Sequence, residues 1–127
     1  MATSKSFSGS CHCGAVQFRA TGELDELTTC DCSICAIKNA LMWKIPEQGL
    51  EILSGRSDLS CYQWNTRVAE HYFCSTCGIY TFHRKTLLPD HFGVNVFCLQ
   101  DFDTDSVPVR ETEGRSMPLV SSETRVP

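Results

Sequence analysis

Apolar residues along this chain fall in short alternating runs, not in helical stripes. Residues 12–20 place Val16 and Phe18 in alternation and end at a Thr21-Gly22 turn signal. Residues 27–32 form a short β-branched stretch, and residues 33–40 allow a helical turn or two. Residues 41–45 read as a strand stopped by Pro46 and Gly49. Two further strands, 50–53 and 58–64, are split by Ser54-Gly55. Residues 70–74 and 79–84 read as the arms of a hairpin, and 93–99 alternates Val94 and Val96 with Asn95. The polar residues 1–9 are expected to fray. The stretch from Asp101, rich in acidic residues and prolines, is expected to be irregular. Many short strands with frequent turns predict an all-β domain of small antiparallel sheets.

Length adds that the 127 residues make one domain's worth of chain, read as a single domain over 1–127. No apolar run reaches the roughly 18 residues of a membrane span. Residues 1–10 lack the apolar stretch of a signal peptide. A reducing, cytoplasmic setting is therefore expected, and nine cysteines there point to metal or catalysis, not disulfides. A formal charge of −4 and a pI near 5.5 argue against a nucleic-acid partner, whose usual footprint is a basic face.

Seven of the cysteines sit in three clusters. Cluster one is Cys11-His12-Cys13-Gly14; cluster two is Cys30-Asp31-Cys32-Ser33-Ile34-Cys35; cluster three is Cys74-Ser75-Thr76-Cys77-Gly78. Zinc with Zn–S near 2.3 Å needs sulfurs roughly 3.8 Å apart. A tight Cys-x-x-Cys turn reaches that distance, and Gly78 lets the backbone turn back without steric cost. An extended Cys-x-Cys puts both side chains on one strand face. Clusters one and three together thus predict a closed, structural four-thiolate site on Cys11, Cys13, Cys74 and Cys77.

Cluster two has three thiols and no evident fourth partner. One reading is an open, catalytic zinc. A second is another structural site completed by a His, Asp or Cys from elsewhere, with Cys61, Cys98 and the four histidines available. A third is a redox pair at Cys32 and Cys35, disfavoured because no βαβ pattern surrounds it. Cys61 and Cys98 lie in apolar stretches and are expected in the core. Lone histidines are more often structural than ligands, so His71 and His83 carry little weight individually. Trp43, Trp64, Tyr72, Phe73, Tyr80 and Phe82 are candidates for core or pocket lining.

The three cysteine motifs, in that order, are joined by further words: Tyr62-Gln63-Trp64-Asn65-Thr66, His71 before Phe73-Cys74, and Cys77-Gly78-Ile79-Tyr80 with His83 downstream. Gly93-Val94-Asn95-Val96 followed by Cys98-Leu99 completes the set. Over about residues 8–103 the chain resembles the glutathione-dependent formaldehyde-activating enzymes, leaving 104–127 as a tail. The resemblance implies a tent-like, Mss4-like zinc-stabilised domain. It implies a structural zinc on Cys11, Cys13, Cys74 and Cys77, and a catalytic zinc on Cys30, Cys32 and Cys35. It implies two zincs per chain and a small-molecule thiol and aldehyde as substrates. The reaction would be the reversible joining of glutathione to formaldehyde as S-hydroxymethylglutathione, classed as a carbon–sulfur lyase.

Lys38, Asn65, Thr66 and Arg67 are the candidate glutathione contacts, because three thiolates weaken zinc as a Lewis acid and leave work for nearby donors. After cluster two, where many members carry a basic residue and a Gly-Ala pair, this chain has Ala36-Ile37-Lys38-Asn39-Ala40. The rival expectation is a non-catalytic zinc-binding interaction module of the same fold, similar to centromere protein V.

Overall fold

Alternation decides which side of each strand is buried. In β2 (Gln17–Glu23), Phe18, Ala20 and Gly22 are buried while Gln17, Arg19 and Glu23 face solvent. β1 (Ser4–Ser10) pairs with β2 along its whole length, and β5 (Leu50–Ser54) pairs with the other edge of β2. These three antiparallel strands form the smaller sheet. The computed structural model describes residues 4–30, 33–38, 40–63, 70–84 and 90–112.

Among the described residues, the larger sheet has seven strands in the order β10-β3-β4-β9-β8-β7-β6. They are β3 (Leu27–Cys30), β4 (Met42–Pro46), β6 (Leu59–Tyr62), β7 (Glu70–Cys74), β8 (Tyr80–Arg84), β9 (His91–Asn95) and β10 (Val109–Thr112). All neighbours are antiparallel except β10 and β3. The short helix α1 (Ser33–Lys38) links β3 to β4.

The core lies between the sheets. Phe18 of β2 meets Phe82 of β8 edge-to-face at 5.4 Å, and Phe7 of β1 meets Trp43 of β4 at 5.8 Å. Trp43, Ile45, Val94 and Leu27 from the larger sheet are fully buried. The Trp43 indole N–H donates to the Glu23 carbonyl at 2.9 Å, so its one polar atom is satisfied.

The all-β expectation holds, with one sheet larger than expected. Several local readings change. Residues 4–10 do not fray: Phe7 packs between Trp43 and Phe102, which anchors a strand that is otherwise polar. Thr21-Gly22 is not a turn. Gly22 sits inside β2 where a Cβ would stand 2.8 Å from Ile45 Cγ2, so its role is close approach of the two sheets. The 93–99 stretch ends as a strand at Asn95, whose side chain caps a 3-10 turn over Val96–Cys98 by accepting from the Phe97 N–H.

Among the described residues, the C-terminal stretch is irregular only as far as Pro108. Val109–Thr112 then adds to β3 in parallel, fixed by the Leu27 N–H to the Pro108 carbonyl and by an Arg110–Glu26 ion pair. Cys61 is exposed and not in the core, because β6 is the edge of its sheet; Cys98 is half-buried. Trp64 lies outside the described residues.

Trp43→Ala should lower the unfolding free energy by about 3–5 kcal/mol, since it removes the largest fully buried side chain between the sheets. Urea unfolding followed by circular dichroism measures this; a loss under about 1 kcal/mol would contradict the packing described.

Candidate metal centre

Cluster one occupies the β1–β2 turn, and cluster three occupies the β7–β8 turn. The two turns close alike. The Cys11 N–H donates to the Val16 carbonyl at 3.1 Å, and the Cys74 N–H to the Ile79 carbonyl at 3.0 Å. Within them, the Gly14 N–H donates to the Cys11 carbonyl and the Gly78 N–H to the Cys74 carbonyl. Gly14 and Gly78 have φ of 82° and 78°, with open space where a Cβ would stand. Backbone handedness, not crowding, therefore calls for glycine at both. Cluster one is thus a turn and not the extended Cys-x-Cys expected. Gly14 bends the chain so that both thiols still face one point.

The sulfurs of Cys11, Cys13, Cys74 and Cys77 all lie within 4.8 Å of one another. Cys13 Sγ is 3.7 Å from both Cys11 Sγ and Cys74 Sγ, close to the roughly 3.8 Å edge of a zinc–thiolate tetrahedron. Backbone N–H groups point at the sulfurs: Val16 at Cys11 (3.3 Å), and Thr76 and Cys77 at Cys74 (3.4 and 3.5 Å). At Cys11, burial raises the thiol, but the Val16 N–H and the neighbouring Cys13 and Cys74 sulfurs outweigh it and hold the thiol below its usual value. Backbone bonds from Cys13 and Ile79 draw the Cys77 thiol down to about 6. Cys13 accepts a backbone bond from Ala15, but desolvation and the three neighbouring sulfurs outweigh it and push Cys13 up to about 11. Four thiols this close cannot all ionise unless a cation joins them. Four soft donors at this spacing fit zinc.

Cys98 stands near this cage without joining it. Burial, then the charges of Cys11 and Cys77, push its thiol up to about 11. Its S–H donates to the Tyr80 carbonyl at 3.5 Å.

Cluster two bridges the end of β3 and α1. Cys30 pairs with Thr112 in the backbone register, and Cys35 lies within α1. Cys32, with the side chains of Cys30 and Cys35, lies outside the described residues, as do Asn65, Thr66 and Arg67. Lys38 is described, at the end of α1. Its Nζ is 2.9 Å from His71 Nδ1 and 3.6 Å from the centre of the Tyr80 ring. His71 and His83 are opposite each other on β7 and β8, both buried, with rings stacked at 5.0 Å. Read singly, neither histidine drew weight from the sequence. The available signal was that they bracket the cluster-three turn, so that hairpin pairing could bring them together.

The fold and the cage define an all-β domain in which four cysteines that could hold a metal ion join two sheets. The family model of the glutathione-dependent formaldehyde-activating enzyme matches residues 6–112, and the chain belongs to that family. A crystal structure of a Rhodobacter sphaeroides protein is similar, at 37% sequence identity and a TM-score of 0.73, covering 81% of this chain and 99% of that one. Among the described residues, no helix is long and apolar enough to cross a membrane.

Because Cys77 already favours the thiolate at neutral pH, loading metal-free protein with zinc at pH 7.5 should release fewer than four protons per cage. Calorimetry in buffers of different ionisation enthalpy counts them. To isolate this cage, a Cys30→Ser/Cys32→Ser/Cys35→Ser variant is used; release of a full four would contradict the assigned order of ionisation.

Proposed function

We propose that this protein is a zinc-dependent enzyme of the carbon–sulfur lyase type that joins glutathione to formaldehyde and reverses the reaction. In this reading, residues 1–127 form a single cytoplasmic domain with two zincs. Cys11, Cys13, Cys74 and Cys77 hold the structural ion, and Cys30, Cys32 and Cys35 hold the catalytic one. The observation that carries the reading is the closure of four sulfurs from clusters one and three within 4.8 Å. Four thiolates complete a tetrahedral ion without help from cluster two. Its three cysteines are then available for an ion that keeps a position open for substrate. Family membership supplies the substrate class.

A zinc bound at cluster two would favour the thiolate of a coordinated thiol and polarise an aldehyde oxygen. The chain's own groups do the rest. Lys38 follows Cys35 by one helical turn and brings a positive charge to that end of α1. It is proposed as a donor for a glutathione carboxylate or for the oxygen that gains charge as sulfur attacks. Asn65, Thr66 and Arg67 are proposed as further glutathione contacts. The acidic overall charge suits a small-molecule partner better than a nucleic acid.

Exchange NMR of glutathione with formaldehyde tests the reading. Wild type should accelerate exchange; Cys32→Ser should fold and be inactive; Cys74→Ser should lose thermal stability. Metal analysis should return two zincs per wild-type chain and one in Cys32→Ser. A folded, two-zinc wild type without acceleration would sink the enzyme reading and favour a zinc-stabilised binding module.

A further inference from the structure

One face of the larger sheet packs on the smaller sheet; the opposite face carries a polar row. Backbone register aligns Tyr62, His71, His83, Gly93 and Lys44 across β6, β7, β8, β9 and β4. Paired residues share a face of the sheet. The row therefore lies on the side to which Lys38 of α1 reaches.

Two features of this row are unfavourable for a purely structural sheet. His71 and His83 are only 5% and 8% exposed, and buried imidazoles pack at greater cost than apolar side chains. Gly93 stands in an interior strand, where glycine weakens pairing and packing. A Cβ at Gly93 would lie 2.8 Å from His83 Cε1 and 3.1 Å from Met42 Cε. The missing side chain is what makes room for the His83 ring. Both costs fall at one place, beside the helix that carries Cys35.

The contacts run in one direction. The Tyr80 hydroxyl is hydrogen-bonded to His83 Nδ1, and His83 stacks on His71. His71 Nδ1 accepts from the Lys38 ammonium, which has donors only, so the His71 hydrogen sits on Nε2. The face of Tyr80 returns to hold the same ammonium. One hairpin thus holds Lys38 through both His71 and Tyr80.

We infer that Tyr80, His83 and His71 are positioning residues that aim the Lys38 ammonium at the aldehyde oxygen during thiol addition. The inference rests on the thiol–aldehyde reading above. In that reaction the C–S bond forms and the S–H bond breaks. The carbonyl π pair moves to oxygen, and the thiol's proton ends there. Negative charge grows on oxygen before the proton arrives, and a fixed ammonium stabilises it more than a mobile one does.

Steady-state rates from the exchange assay, with zinc content and melting temperature for each variant, test this. His71→Leu should lower kcat by roughly 10- to 100-fold with KM near wild type and both zincs retained. His71→Gln should recover part of the loss, because its carbonyl oxygen can accept from Lys38. Tyr80→Phe, which deletes one oxygen, keeps the test open if His71→Leu fails to fold; it should also lower kcat selectively. Imidazole 15N spectra should show an unprotonated Nδ1 and a protonated Nε2 at His71, with the Nδ1 signal shifting in Lys38→Met.

Wild-type kcat in His71→Leu or Tyr80→Phe, or a protonated His71 Nδ1, would overturn the inference alone. A wild type that does not accelerate exchange would overturn it together with the reaction it serves.

Discussion

The constraint on which the rest depends is the meeting of two hairpin turns from different sheets at one four-sulfur point. Cys11 and Cys13 come from the smaller sheet, and Cys74 and Cys77 from the larger. Drawing them within 4.8 Å fixes the ends of the two sheets against each other. The adjoining contacts agree with that setting. Gly9 bridges to Leu99, the Gln100 N–H donates to the Ser8 carbonyl, and Phe18 reaches across to Phe82. The hydrophobic core and the cage therefore specify the same arrangement, and a metal ion would reinforce it by letting all four thiols ionise together.

The larger sheet serves two purposes on its two faces. One face is apolar and makes the core. The other gathers buried polar groups, Lys38 at their end, and the glycine that admits them. The hairpin that carries Cys74 and Cys77 at its turn also carries His71 and His83 on its arms. Ordering that hairpin at the cage thus sets the ring stack as well, which connects the cage to the helix α1 beside cluster two. The parallel strand β10 has a related effect on the other flank. It covers the edge of β3, whose last residue is Cys30, so both elements that lead into cluster two are anchored.

Much of this was legible from local pattern. Alternation located the buried side of β2, and β7 and β8 were placed to within a residue. What escaped had a common cause. β1 is polar apart from Phe7, and β10 has no alternation; each is a strand because a partner edge and one or two anchors hold it. Gly22 carries the local mark of a turn but answers to Ile45 on another strand. Cys61 looked like a core residue because the sequence does not say which strand ends a sheet.

By itself, the sequence determined the all-β class and the pairing of clusters one and three, because these follow from residue spacing and strand period. Only the tertiary structure decided that the paired clusters are turns joining two sheets, that His71 and His83 stack, and that Lys38 ends on them. Those contacts depend on strand order and register, which arise from competition among all the edges in the fold and leave no mark at a single position.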